Sequence, residues 1–306
     1  MLSENNKKKL ERIVREHHFE HALDYLQHSV RQGIRLSKKG PENDKEMCSS
    51  RIGGDPDLPT DVEWPLDSSG TAMTFLAQLR LSDLAAVDET SLLPVSGMLS
   101  FFVGVDEPAY HIEHKVFYLP EEKMQDAKRR PSPEVTTLEE KFTGYKVTAR
   151  STIEPPNFGY VDYEQVEDDE HDFEQYEELC FELNEESSND LALMFGYPAT
   201  QHGDCEYEAA LRLLTGKAYN YSVKTALKEI TAHLNGDADK AEREVRDTLL
   251  LLALDSDQDV GFCWWDAGEL QFLFERKICW QGTLHIRIAP CIRVRQSLSI
   301  SNTSLK

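Results

Sequence analysis

From residue 249 the chain runs LLLLAL, breaks into Asp255, Asp257 and Asp259, and enters an aromatic stretch with Phe262, Trp264 and Trp265. It then turns at Asp266-Ala267-Gly268 and returns with Leu270, Phe272 and Phe274 in alternation. An apolar run, a polar connection and a period-two return predict a buried strand followed by a hairpin. The same syntax occurs earlier: FLAQLRLSDL (75–84) leads into a polar connection, and GMLSFFVG (97–104) matches GELQFLFE (268–275), with Leu99 over Leu270 and Phe101 over Phe272. Each stretch has a Gly-and-Pro segment upstream, RIGGDPDLP from Arg51 and MFGYPATQHGD from Met194. Each is followed by an alternating strand that ends in a proline, KVFYLP at Pro120 and TLHIRIAP at Pro290. Four matched features in one order point to an internal duplication, against the reading that any β-rich chain yields similar hairpins. The predicted class is α+β: two related antiparallel β-rich lobes with peripheral helices.

Elsewhere the spacing changes to that of helices. Leu10, Ile13, Val14, Ala22, Leu26, Val30 and Ile34 recur at helical intervals, which predicts helix from residue 5 to about 36, with Gly33 near its end. The polar stretch from Lys38 to Ser50, with Gly40 and Pro41, reads as a linker. Between Glu121 and Asp190, KRRPSPEV and IEPPNFGYVDY are loop-like. EQVEDDEHDFEQYEELCFEL is strongly acidic, with Phe173, Tyr176, Leu179 and Cys180 at near-helical intervals, as in a surface helix packed across the two halves; a dedicated site for a basic partner is its functional alternative to a solvated face. Asp204 is placed as the N-cap of a helix closed by Gly216, and Val223, Leu227, Ile230 and Leu234 form one face of the next. Residues 237–247 continue helically. The expected organisation is an N-terminal helix and linker (1–47), a double-lobed domain (48–295) and a tail (296–306). The domain divides into a first half (48–120), an acidic connection (121–190) and a second half (191–295).

The ordered set GGDPDLP…EWP, FLAQLRLSDL, GMLSFF, FGYP, LLLLALDSD and WWDAGELQFLF resembles the YwqG-like family, a bacterial domain of unknown function, over residues 50–295. One departure is Ala253, where the second half of that family often has a glutamine like Gln78. The resemblance implies a mixed fold of antiparallel strands and helices, and it carries no activity, substrate or catalytic residue.

Charge narrows the partners. Acidic residues outnumber basic ones 55 to 33, a net charge of -22, which repels nucleic-acid phosphates and anionic lipid and favours cationic partners or simple solubility. The six cysteines are scattered without a C-x-x-C pair, so reduced thiols are expected rather than disulfides or a structural zinc site. MLSENNKKKLERIV lacks the apolar core of a signal peptide and no apolar run approaches about 18 residues, so a cytoplasmic protein without membrane contact is expected.

No motif names a reaction. Gly53 and Gly54 permit unusual backbone geometry or close approach, but the lysine of a phosphate loop is missing. HHFEH could present His17 and His21, or His18 and His21, to one metal ion; it lacks the H-E-x-x-H order, and a solvated histidine face is the plainer reading. D-S-D-Q-D-V-G from Asp255, with Asp266 eleven positions on, approaches a calcium loop, but the glycine falls one place late and strands flank it. Turn carboxylates, with Asp255 and Asp266 fixing backbone donors, fit better. Hydrolysis would recruit His202, Asp204, Cys205 and Asp266 where the two Gly-Pro segments meet. Binding asks for less: an inter-lobe cleft partly lined by Trp64, Trp264 and Trp265 and surrounded by acids, although tryptophans also serve as core. The expectation is a non-enzymatic protein that binds, and sequesters or neutralises, a basic protein or peptide. Gly53, Gly54, Trp64, Gln78, His202, Asp204, Trp265 and Asp266 are its candidate ligand residues, with no metal or cofactor assigned. A hydrolase in the inter-lobe cleft is the alternative.

Overall fold

The computed structural model describes residues 2–42, 46–104, 112–264, 268–277, 284–285 and 288–293. Ser3 caps α1 (Glu4–Glu16) by accepting from the Asn6 amide, and Leu10, Ile13 and Val14 bury one face. A 3-10 turn (Glu20–Ala22) leads to α2 (Leu23–Ser29), where helix stops. Residues 31–36, expected to be helical, belong instead to β1 (Arg31–Pro41). Val30, Ile34 and Leu36 fit either period, and pairing on both sides of β1 decides the outcome by satisfying its backbone groups. Gly33 marks a close approach inside this strand, since a Cβ there would stand 2.8 Å from Cγ of Glu154.

The chain continues through β2 (Arg51–Ile52), β3 (Asp57–Pro59), β4 (Thr74–Arg80), α3 (Leu81–Ala85), β5 (Met98–Val103), β6 (His114–Leu119), α4 (Glu121–Met124), β7 (Ala127–Arg129) and β8 (Tyr145–Glu154). The acidic segment supplies α5 (Tyr163–Val166) and α6 (Phe173–Asn184), the latter opened by a capping box of Asp172 and Gln175. Then come β9 (Asp190–Met194), α7 (Cys205–Thr215), α8 (Val223–His233), α9 (Ala238–Arg246), β10 (Thr248–Asp255), β11 (Glu269–Glu275), β12 (Leu284–His285) and β13 (Ile288–Arg293). TLHIRIAP, expected as one strand, is divided between β12 and β13, which pair with β6 and β11 respectively.

Eleven strands form one antiparallel sheet in the order β12-β6-β5-β4-β2-β8-β1-β9-β10-β11-β13, and β3 and β7 make a small second sheet. Because β12 and β13 stand at opposite ends of this order yet adjoin in sequence, the sheet curls until it nearly closes. Its pairings repeat about the β1–β8 contact. Gln78↔Ser100 and Leu79↔Leu99 in β4–β5 have the places of Ala253↔Gln271 and Leu254↔Leu270 in β10–β11. A bulge falls between Phe75 and Ala77 in one pair and between Leu250 and Leu252 in the other. Arg51↔Gln78 likewise matches Leu193↔Ala253.

Alternation sends Leu79, Leu99, Phe101, Leu254, Leu270 and Phe272 into one interior core, where the Phe101 and Phe272 rings meet edge-on at 5.3 Å. Among the described residues these side chains pack against one another. On the outer face, Phe75, Met98, Phe102 and Phe117 pack with Leu58 and Met124, while α7 lays Cys205, Ala209 and Leu213 over Leu250, Ala253 and Leu273. α1 and α6 share a separate cluster of Leu10, Ile13, Val14, Tyr176, Leu179 and Leu183. Among the described residues no helix is long and apolar enough to cross a membrane.

Candidate functional site

The Gly-Gly-Asp-Pro segment is held by a knot of buried charge. Asp57 is fully buried and accepts from the Cys48 amide (2.7 Å), Gln78 Nε2 (2.9 Å), Arg129 Nε (2.8 Å) and Arg51 Nη2. Gln78 Nε2 also donates to the Ser49 carbonyl (2.9 Å), and its Oε1 accepts from the Asp57 amide (2.8 Å). Glu42 accepts from both Arg51 and Arg129. Burial lowers the pKa of the Arg51 guanidinium against the attraction of Asp57. Gly53 and Gly54 sit at φ +73° and +71°, where a Cβ on the first would overlap the Thr143 carbonyl and one on the second would overlap the Glu42 carboxylate. These groups are committed to one another, as a turn and its anchor. Trp64 is half-buried against Phe102, with its indole N–H on the Met73 carbonyl (2.9 Å).

The second Gly-Pro segment occupies the matching place on β9. Phe195 takes φ +62° where the first half has Gly53. Asp204 precedes α7, but its side chain makes no cap bond; it accepts instead from the Thr200 hydroxyl (2.8 Å), which ties the loop to the helix start. His202 is exposed, and Cys205 is buried with its thiol directed to the Ala199 carbonyl (3.6 Å) and to Gln271 Oε1 (3.7 Å). The two Gly-Pro segments lie on β2 and β9 with β8 and β1 between them. Gln78 is thus joined to Ser49 and Asp57, and Asp204 to Thr200. Trp265 and Asp266 lie outside the described residues.

The D-S-D-Q-D loop is occupied by an internal cation. Lys38 Nζ bridges Asp257 (2.8 Å) and Asp259 (2.7 Å), and Asp257 Oδ1 accepts from the amides of Asp259 and Val260. Ser256 braces the hairpin by accepting from the Trp264 amide and donating to the Gly268 carbonyl. Trp264 is core, packed on Phe262 and Phe142.

A cleft of about 320 Å³ opens elsewhere, between α6, the loop after β8, the loop after β9 and the adjacent ends of β10 and β11. Five carboxylates line it, Glu154, Glu177, Glu186, Asp255 and Glu269, against one guanidinium, Arg35. Arg35 is itself engaged: it forms a fork on Glu154 with both bonds at 2.9 Å and stands 3.6 Å from Glu186 and 3.7 Å from Asp190. Burial opposes its charge, yet Glu154, Glu186 and Asp190 outweigh burial and hold its pKa above the ordinary value. Glu177 is pushed up by burial and then by Glu174, and among the described residues it forms no ion pair. Phe158 and Phe181 flank the opening and remain 43% and 62% exposed, well beyond ordinary aromatic residues. Tyr176 sits at the floor, its hydroxyl on the Pro156 carbonyl (2.9 Å).

Of these lining residues, Asp255 is read from sequence as a turn carboxylate, and Tyr176, Glu177 and Phe181 lie in the acidic segment weighed there as a site for a basic partner. One signal was available. Tyr176, Leu179 and Leu183 make the buried stripe of α6, and Phe181 falls off it.

A nearly closed antiparallel sheet carrying a lateral cleft lined by carboxylates defines a mixed helix-and-strand protein. The chain belongs to the family described as a domain of unknown function, DUF1963, whose model matches residues 50–277. Comparison with curated proteins returns no match.

Proposed function

We propose that the protein is a non-enzymatic binding module that takes a lysine- or arginine-rich segment of a partner protein into the cleft beside α6 and so sequesters or neutralises that partner. One observation carries this reading: five carboxylates and two exposed phenylalanines surround a cleft whose single guanidinium is already spoken for. A carboxyl raised by burial and by a neighbouring carboxylate, as Glu177 is, gains most from an arriving cation. Phe158 and Phe181 offer ring faces to the same cation or its aliphatic stem. The overall charge of -22 steers basic partners toward the surface and turns nucleic acid away.

The motif order also supports a YwqG-like assignment within the family. The repeated pairings support descent of the two halves of the sheet from one duplicated unit. The described free cysteines support a reducing, cytoplasmic setting.

The test is fluorescence anisotropy with a labelled Lys/Arg-rich peptide and its charge-reversed control. Affinity should fall steeply between about 0.01 and 0.15 M salt, as the Debye length shrinks from about 30 to about 8 Å. Glu177→Gln and Phe181→Ala should each weaken binding, by about tenfold for a desolvated charge contact. Equal binding of the acidic control, or indifference to both substitutions, overturns the proposal.

A further inference from the structure

Away from the cleft, the 3-10 turn between α1 and α2 meets the loop that precedes α6. His21, Asp168 and His171 converge there, with one ligand-capable atom of each lying within 4.8 Å of the others. The two imidazole rings stack at 5.1 Å, His21 Nδ1 stands 3.4 Å from Asp168 Oδ2, and His171 Nδ1 stands 2.9 Å from Asp168 Oδ1. The cluster takes His21 from HHFEH but neither His17 nor His18. His17 is directed to Glu182 (2.9 Å), His18 takes φ +61°, and His21 finds its partner 150 residues along the chain.

Hydrogen bonding fixes the chemistry of His21. Its Nε2 lies 3.1 Å from the Val166 carbonyl, which can only accept, so Nε2 carries the proton. Its Nδ1 faces Asp168 Oδ2 at 3.4 Å, a separation that either a proton or a metal ion can bridge. The outer nitrogen on a backbone carbonyl is also the usual way a metal-bound histidine is oriented. Asp168 Oδ1 is occupied by the amides of Glu170 and His171 (both 2.8 Å) and by His171 Nδ1, which turns Oδ2 toward His21. Donors at about 2.0–2.1 Å from one tetrahedral zinc stand about 3.4 Å apart, the His21–Asp168 separation.

We infer that His21, Asp168 and His171 form a binding site for one Zn²⁺, with water completing the tetrahedron from the open side. His171 Nδ1 leaves Asp168 Oδ1 to take up the ion. The site requires a small closing movement, because the widest separation permitted by the cluster exceeds a tetrahedral edge. Its position makes it a clamp: it joins the N-terminal helices to the loop held by the α6 capping box. It depends on nothing in the cleft proposal.

Titration of the full chain with Zn²⁺ by calorimetry, and with Co²⁺ by visible absorption, tests the inference. Expected are one equivalent bound at neutral pH, tetrahedral Co²⁺ bands, and a raised melting temperature with Zn²⁺. His171→Asn and His21→Ala should each weaken uptake by more than about tenfold. His28→Ala should leave it unchanged, because His28 lies outside the cluster and is directed to the Asp24 carbonyl of its own helix. Far-UV dichroism checks that each variant folds; His171→Asn lies in a loop and keeps much of the ring's polarity if His21→Ala disturbs Phe19. Absence of stoichiometric uptake, retention in a folded His171→Asn variant, or equal loss in His28→Ala overturns it.

Discussion

Replacing Asp57 by Asn keeps shape and one acceptor oxygen but turns an amide NH₂ toward guanidinium donors. Asp57 has no exposed surface, and its carboxylate takes four donors, two of them from Arg51 and Arg129. Without its charge, Glu42 alone faces both guanidiniums, and Arg51, 1% exposed, cannot reach water. Removing one member of a buried ion pair costs about 3–5 kcal/mol, because the remaining charge stays desolvated. Against a typical total of about 5–15 kcal/mol, that is roughly a fifth or more of the folding free energy. Urea denaturation followed by tryptophan fluorescence measures it, while peptide anisotropy on the folded fraction reads the cleft. The expected outcome is a large loss of stability with unchanged peptide affinity. A loss under about 1 kcal/mol would refute the buried-charge argument. Native-like stability with abolished peptide binding would move Asp57 and Gln78 from scaffold into the ligand site.

Gly53→Ala should destabilise by about 2 kcal/mol or more, since φ +73° and the Thr143 carbonyl both oppose a Cβ, whereas Gly70→Ala, at φ +86° with open space around it, should cost only about 1 kcal/mol; thermal denaturation separates the two. Phe272→Ala, at a fully buried ring against Phe101, should cost about 3–5 kcal/mol by urea denaturation. Burial raises Asp257, but the Lys38 hydrogen bond and the amide of Val260 outweigh it and hold its pKa below 3.8. A depressed carboxylate stabilises the fold fully above its unfolded pKa and loses that contribution as pH falls through the folded one, so stability should decline below about pH 4. Lys38→Ala, measured over the same range, should show a shallower acid limb than the parent.

Period two was readable in the two hairpin strands, though in TLHIRIAP it did not reveal the break between β12 and β13. Strands at 97–103 and 268–274 appear where alternation placed them, with Leu99 and Leu270 in matching register. β1 was not readable, because Val30, Ile34 and Leu36 satisfy two periods and only its neighbours on both sides decide between them. Asp204 marked the start of a helix correctly while its side chain went to Thr200, a choice that depends on loop geometry. The cleft escaped detection for a different reason. Arg35, Glu177, Asp255 and Glu269 come from separate elements, and only the fold brings them together. The histidine cluster is similar, since His21 and His171 share no local pattern.

The two halves of the sheet differ in a way that separates scaffold from function. Gln78 and Gln271 lie on neighbouring strands of matching pairs, Gln78↔Ser100 and Ala253↔Gln271, so the amide absent at Ala253 is found directly across from it. Each glutamine reaches the segment beyond its Gly-Pro turn: Gln78 bonds to Asp57, and Gln271 Nε2 donates to the Ala199 carbonyl (3.1 Å). Counted from the paired residues Arg51 and Leu193, Asp57 and Ala199 occupy the same step. An amide that changes strands yet keeps its target is tying a loop to a sheet, a task indifferent to any ligand. On the binding proposal, recognition belongs where the two sides of the sheet do not correspond. One such difference is the connection into the matching strands β2 and β9: residues 42–50 in one half, residues 155–189 in the other. The longer connection carries Phe158, Glu177, Phe181 and Glu186 of the cleft, together with Asp168 and His171. Shortening it to the length of its counterpart should therefore remove both peptide and zinc binding while leaving the strand pairings on either side of β1 and β8 in place, and a shortened chain that still bound the basic peptide would place recognition elsewhere on the sheet.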